Sequence, residues 1–209
     1  MQIMRDGYYF FFVFLVISIA SSFYSKYIFI ILFLTGSFCL WFFRDPVRKT
    51  VSDDTLVYSA CDGKIIDICE ASETEFLKRK AVQVSVFLSP LDAHINRAPI
   101  KGTVKKQKRM GRGFAPAFLE SAKNNSKNFI LIKGKKSDAL VVQIVGLVAR
   151  RIVSWVKEKE TVLQGQKIGM IRFGSRTDVF VPKSKVKKIL VKKGERVFAG
   201  KTVLLQLKN

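Results

Sequence analysis

Two long apolar runs open the chain. Residues 7–24 (Gly7 to Tyr24) and 27–43 (Tyr27 to Phe43) contain no charged side chain, and only Ser25 and Lys26 stand between them. At about 1.5 Å of rise per residue, each is close to the shortest helix that crosses a bilayer, and their closeness predicts a helical hairpin. From Val51 onward the pattern changes to short alternating or uniformly apolar runs broken by Gly, Pro and Asp. Lys64–Ile68, Ala81–Leu88, Phe129–Ile132, Leu140–Val148 and Lys187–Val191 are of this kind, and β-branched residues dominate them. That combination predicts strands. Pro116–Asn124, with a proline near its start, predicts the one helix of this region, and the polar stretch Lys123–Lys127 predicts a loop. The chain therefore divides into an N-terminal membrane hairpin, residues 1–50, and a mostly β (α+β) body, residues 51–209.

A repeat runs through the end of the body. Val156, Glu160, Val162, Gly165 and Ile168 recur 35 residues later as Val191, Glu195, Val197, Gly200 and Val203. Each copy reads as strand, turn, strand, with the glycine at the reversal. The pattern resembles the strand-turn-strand units of barrel-sandwich-hybrid domains such as lipoyl and biotinyl carriers; two unrelated hairpins would read the same way. Neither copy has a lysine in a Met-Lys-Met setting, so a swinging-arm carrier is not supported.

Charge sharpens the picture. The 209 residues hold 37 Lys and Arg against 16 Asp and Glu, a formal net charge of +21, and residues 51–209 hold +18 of it. So basic a body seeks phosphate, on nucleic acid or on anionic lipid. Ten of the 18 phenylalanines fall within the first 50 residues, which favours lipid. The basic segments also lack the interleaved aromatics that stack bases, which argues against nucleic acid. A cleaved leader is disfavoured, because a second run follows at once and Ser21-Ser22-Phe23 is a poor cleavage site. Arg5 precedes the first run, Arg44, Arg48 and Lys49 follow the second, and the turn has only Lys26. The positive-inside rule then puts both ends, and the body, on the cytoplasmic face of the cell (inner) membrane. An apolar content of 48% excludes disorder. The three cysteines form no CxxC or Cys/His ligand spacing, and a single histidine excludes poly-His metal sites and two-histidine mechanisms.

Three segments carry candidate chemistry: Tyr58-Ser-Ala-Cys-Asp-Gly-Lys-Ile65, Phe87-Leu-Ser-Pro-Leu-Asp-Ala-His-Ile-Asn-Arg-Ala-Pro-Ile-Lys-Gly102, and Arg172-Phe-Gly-Ser-Arg-Thr-Asp-Val-Phe-Val-Pro182. Singly, each has a plain structural reading. Asp62-Gly63 and Gly174-Ser175 are common turn pairs, and His94 sits among turn and charged residues where a satisfied polar role is ordinary. Together, Phe42-Phe-Arg-Asp-Pro-Val-Arg48, the Asp62-Gly63 turn, the block from Leu88 to Gly102 and Phe173-Gly-Ser-Arg176 resemble the phosphatidylserine decarboxylases in their short prokaryotic form, over nearly the whole chain.

The resemblance implies a lyase made as a self-cleaving proenzyme. Ser175 Oγ attacks the Gly174 carbonyl to give an ester, and β-elimination frees a β chain, 1–174. The dehydroalanine left behind hydrolyses to a pyruvoyl group at the head of an α chain, 175–209. Glycine upstream leaves that attack unobstructed, and the serine needs a base. The covalent pyruvoyl is the electron sink for decarboxylation, through a Schiff base with the amine of phosphatidylserine in the bilayer, and no metal or diffusible cofactor is implied. His94 matches the histidine of the decarboxylation step, and imidazole transfers protons near neutrality. Asp62 matches an acidic residue of the self-cleavage relay, and Asp92 is a second carboxylate able to orient a base.

The chain departs from the family's long form at Arg97, where that form has a second histidine linked to self-cleavage. A guanidinium stays protonated and cannot be the general base, so either His94 serves both steps or a carboxylate such as Asp62 activates Ser175. Arg97 suits the substrate's carboxylate or phosphate, or holds Asp92 in place. The sequence leaves room for a homo-oligomer. The rival readings are a non-enzymatic, membrane-anchored adaptor, which gives Gly174-Ser175 and His94 no role, and a nucleic-acid-binding membrane protein, supported by charge alone.

Overall fold

The structure is a computed structural model, and it describes residues 2–113, 124–146, 151–171 and 175–208. Two compact units divide between Val47 and Arg48.

The first unit is a helical hairpin. Helix α1 spans Arg5–Ser22 and helix α2 spans Lys26–Phe42, so the two apolar runs fold as two helices. Strands β1 (Gln2–Ile3) and β2 (Arg44–Asp45) pair antiparallel across the open end, Gln2 opposite Asp45 and Ile3 opposite Arg44. Phe12, Val16, Ile17, Tyr27, Ile31 and Leu34 stay exposed along the helices. Among the described residues no helix is long and apolar enough to cross a membrane. Helix α1 gives its first turn to Arg5 and Asp6, and helix α2 has only 17 residues.

The second unit is mostly β. Its strands are β3 (Leu56–Tyr58), β4 (Gly63–Glu73), β5 (Arg79–Leu88), β6 (Ile95–Arg97), β7 (Gly102–Met110), β8 (Lys127–Lys133), β9 (Asp138–Ile144), β10 (Ile152–Ser154), β11 (Thr161–Val162), β12 (Lys167–Ile171), β13 (Ser175–Pro182), β14 (Val186–Ile189), β15 (Arg196–Val197) and β16 (Val203–Leu207). Eight of them form one antiparallel sheet in the order β11-β7-β8-β9-β13-β5-β4-β15, and two three-stranded sheets, β10-β12-β6 and β14-β16-β3, complete the unit.

Period-two patterning decides which side chains face which core. On one face of the large sheet Val82, Val84, Val86, Leu88, Ile130, Ile132, Val141, Val179 and Val181 join the main core. The intervening Ala81, Phe129, Leu131, Leu140, Val142, Ile144 and Phe180 pack with Phe76 and Leu77 into a second cluster on the other face. A sheet covered on both faces explains why these strands read as nearly continuous apolar runs. Strand β13 lies between β5 and β9, with Thr177 opposite Val86 on one side and Gln143 on the other.

The 35-residue recurrence extends to the hydrogen bonds. Lys157 N–H donates to the Glu160 carboxylate at 3.0 Å, and Lys192 N–H donates to Glu195 at 3.0 Å. Gly165 N–H donates to the Ala98 carbonyl at 2.8 Å, and Gly200 N–H to the Ser59 carbonyl at 2.9 Å. Val162 pairs with Gly102 as Val197 pairs with Gly63. Two similar hairpins thus close the two edges of the large sheet. Two local expectations change, and a third falls outside the described residues. Lys127 is the first residue of β8 rather than the end of a loop, because its N-terminal backbone already pairs with Met110. Strand β9 ends at Ile144, and residues 147 and 148 of that run lie outside the described residues. The helix expected over Pro116–Asn124 lies outside them too, apart from Asn124.

Candidate functional site

Strand β13 begins at Ser175, whose side chain points to the same face as Thr177, Val179 and Val181, towards the main core. Ser175 is fully buried, and its Oγ makes no hydrogen bond among the described residues. An unpaired buried hydroxyl loses its water contacts for nothing, a cost of about 1–3 kcal/mol that a merely structural serine avoids. Gly174 lies outside the described residues.

His94 sits just before β6, fully buried, and the topology brings it to this end of β13. Ile171, the last residue of β12, donates its N–H to the His94 carbonyl at 3.2 Å, and Ser175 follows four residues later in the chain. Two residues beyond His94, Asn96 Nδ2 donates to the Thr177 hydroxyl at 3.0 Å, and Thr177 is two residues beyond Ser175. The imidazole Nδ1 lies 2.8 Å from the Asp92 carbonyl oxygen. A carbonyl only accepts, so Nδ1 carries the proton, and in the neutral imidazole Nε2 is then the accepting nitrogen.

Asp92 therefore orients the imidazole, but through its main chain. Its carboxylate is committed elsewhere: Oδ2 accepts from Ser89 N–H (2.9 Å) and Ser89 Oγ (2.7 Å), closing the Ser89–Asp92 turn, and Oδ1 pairs with Arg196. Asp62, buried just before β4, accepts the Ala199 N–H at 2.8 Å and pairs with Arg48 at 2.7 Å. Arg97, also buried, donates from Nη1 to the Gly165 carbonyl at 3.1 Å, at the bend of the first hairpin. The structure thus gathers His94, Asn96 and Thr177 at the start of β13, while Asp62 and Arg97 are bonded to the two hairpin bends.

Sequence patterning missed several residues here. Arg48 and Arg196 pair with the two carboxylates and look in the sequence like ordinary surface charge. Gln143 had a signal: it is the lone polar residue in Leu140-Val-Val-Gln-Ile-Val145, and it is fully buried. Cys61 is buried beside Thr177, Asp62 and Asp92. Burial first, and then these carboxylates together with Asp178, push its thiol well above the ordinary range, while a hydrogen bond from Thr177 pulls the other way. On the opposite face of β13, burial raises the Asp178 carboxyl, and Arg176, bonded to it at 2.6 Å, opposes that shift. Among the described residues no group of His, Cys, Asp and Glu is arranged to hold a metal ion.

The comparisons with known proteins agree with one another. The family model for phosphatidylserine decarboxylase matches residues 35–205. A phosphatidylserine decarboxylase proenzyme of Carboxydothermus hydrogenoformans is 39% identical over 206 residues, 98% of this chain and 96% of the relative. One of Syntrophus aciditrophicus is 43% identical over 169 residues, covering 80% of this chain and 78% of the relative. A Methanosarcina mazei protein, named for the archaetidylserine decarboxylase proenzymes, is 42% identical over 168 residues, 80% of this chain and 74% of its own length. With a family match spanning most of the body and one relative aligned nearly end to end, this chain belongs to the phosphatidylserine decarboxylase family.

Proposed function

We propose that this protein decarboxylates phosphatidylserine to phosphatidylethanolamine and CO2, and that it makes its own electrophile by cutting itself between Gly174 and Ser175. The observation that carries the reading is the buried Ser175 hydroxyl, without a hydrogen bond among the described residues, at the end of β13 to which His94 is also brought. A core serine with no hydrogen bond among the described residues is poised for attack rather than for stability.

In the self-cleavage step Ser175 Oγ adds to the Gly174 carbonyl carbon and its proton passes to His94 Nε2. The C–N bond then breaks, with the proton delivered to the departing nitrogen, and an ester joins the two residues. Removal of the Ser175 Cα proton eliminates the 1–174 chain as a carboxylate. Water then releases ammonia and leaves a pyruvoyl group at the head of 175–209. That group supplies the electron sink for the carbanion left when CO2 departs. The chain's own residues do the rest. His94, fixed in one tautomer by the Asp92 carbonyl, holds and returns a proton at Nε2. Asp62 serves the cleavage relay, steadied by Arg48 and the Ala199 N–H. Arg97, always cationic, takes the carboxylate or phosphate of the substrate. No diffusible cofactor is needed.

The remaining features fit a lipid substrate. Moving a diacyl lipid into water costs about 0.8 kcal/mol per CH2, so the enzyme works at the bilayer. The apolar hairpin lies embedded in the cell membrane from its cytoplasmic side, with both ends cytoplasmic, and the basic body meets the anionic leaflet. The two matching hairpins suit a barrel-sandwich-hybrid arrangement of the body.

Mass measurement of the denatured chain tests the reading. Two fragments divided after residue 174, the second with a blocked terminus, are expected, whereas Ser175→Ala stays whole. An intact wild-type chain overturns it.

A further inference from the structure

Four fully buried polar side chains cross the core-facing side of the large sheet, and the mechanism above uses none of them. Gln107 Nε2, at the surface end, donates to Asn128 Oδ1 at 3.3 Å. Asn128 Nδ2 donates to Gln143 Oε1 at 2.8 Å, and Gln143 Nε2 to Asn96 Oδ1 at 2.7 Å. Asn96 Nδ2 ends the line on Thr177 Oγ1 at 3.0 Å. Asn128, Gln143, Asn96 and Thr177 have no exposure at all. Every amide donates in the same direction, so each bond polarises the next.

Apolar side chains would hold these strands together without the desolvation cost that four buried polar groups incur. Directional bonds add register. In the large sheet Asn128, Gln143 and Thr177 form one cross-strand row. Asn96 alone belongs to the other sheet, on the strand that follows His94. Ser175 lies two residues before Thr177 on β13, and His94 two residues before Asn96 and just ahead of β6, so the Asn96–Thr177 bond ties the segment that carries His94 to the start of β13. Gly169, beside Gln143, leaves room for this: a Cβ there would come within 3.0 Å of Gln143 Nε2.

We propose that Asn96 is a positioning residue which, braced by Gln143 and Asn128, holds Thr177 and thereby sets His94 against residue 175 for both self-cleavage and turnover. The inference deepens the proposed function and rests on it. After cleavage, Asn96, Gln143 and Asn128 belong to one fragment and Thr177 to the other, so the bond also keeps the new N-terminus in register.

The test uses the full-length protein in detergent micelles with phosphatidylserine. Asn96→Leu keeps the volume and removes the donors; Thr177→Val exchanges one hydroxyl for one methyl; Thr177→Ser keeps the hydroxyl. Slower cleavage and a kcat lowered about 10- to 100-fold, with KM within about twofold, are expected for the first two, since misplacement of about 1 Å costs up to about 100-fold. Thr177→Ser should recover kcat to within about threefold. If Asn96→Leu does not fold, the Thr177 pair carries the test. A Thr177→Val enzyme with kcat within twofold of wild type overturns the proposal, as does a Thr177→Ser enzyme no better than Thr177→Val or a loss confined to KM. A wild-type chain that never splits sinks the proposed function instead, and is read before any variant is made.

Discussion

Gly165 and Gly200, equivalent bends of the two hairpins, meet across the side chain of Thr50. Both have positive φ, 78° and 66°. A Cβ built on Gly165 would lie 2.0 Å from Thr50 Oγ1, and one on Gly200 2.8 Å from the same oxygen and 3.4 Å from the Gly165 Cα. Thr50 Oγ1 donates to the Gly200 carbonyl at 2.8 Å, so it bonds one bend while packing against both. Arg97 is held at the same junction by the Gly165 carbonyl.

Alanine at either bend should therefore destabilise the body, and more at Gly165. A left-handed alanine alone costs about 1–3 kcal/mol, and the clash adds to it. Urea unfolding followed by tryptophan fluorescence measures the loss. Combining Gly165→Ala with Thr50→Ala should recover part of it, because the two sites share the clash; strict additivity would show that the oxygen is not what the new methyl meets.

Cys61 and Cys69 make a second contrast. Cys61 is fully buried with its thiol pushed well up, while Cys69 is exposed on β4. Alkylation of the folded protein near pH 8 should modify Cys69 and spare Cys61 until denaturant is added. Rapid labelling of Cys61 would mean that the core beside Thr177 opens readily.

How much of this could be read from the sequence differs by element. The strands through Ala81–Leu88 and Leu140–Ile144 announced themselves by apolar runs because the sheet is covered on both faces. The repeat was visible because Gly165 and Gly200 each need a left-handed bend at the same place. His94 and Ser175 stood out through motif resemblance, and the fold brings both to one end of β13. The roles of the carboxylates were not legible. Asp62 and Asp92 find their partners, Arg48, Ala199 and Arg196, across the fold, and nothing in the spacing of charges along a chain encodes which pairs will meet. Asn96 and Thr177 were invisible for the same reason: a buried amide differs from an exposed one only in what the fold places beside it.

Asp178 sets a pH dependence. Burial raises its carboxyl above the ordinary value near 3.8, against the pull of Arg176. A carboxyl raised by folding binds its proton more tightly in the native state. It therefore favours the fold below its unfolded value, and that contribution is lost as pH rises through the folded value. Asp178→Asn removes this titration. The difference in unfolding free energy between wild type and Asp178→Asn should move against the wild type as pH is raised from about 3.5 upward, and flatten once the native carboxyl is fully ionised. Urea midpoints at half-unit pH intervals would trace it. The opposite trend would mean that Arg176 outweighs burial.

Cleavage after residue 174 should leave the fold intact. Ser175 pairs with Leu88, and Arg176 with both Phe87 and Ile144, so β13 is held from both sides beginning at its first residues. Asp92 adds a tie, since its carboxylate pairs with Arg196 on β15, which belongs to the C-terminal fragment. The two fragments should co-elute in detergent and part only on denaturation. Within that tie the partners are unequal. Arg196 is 60% exposed and Asp92 only 4%, so Arg196→Ala should cost no more than about 1 kcal/mol. Asp92→Ala strands the Ser89 N–H and hydroxyl as well and should cost about 1–3 kcal/mol, read as a shift in the urea midpoint. Equal losses from the two variants would place the stabilisation in the ion pair itself, and separation of the fragments without denaturant would show that the ladder through β13 is too weak to hold them.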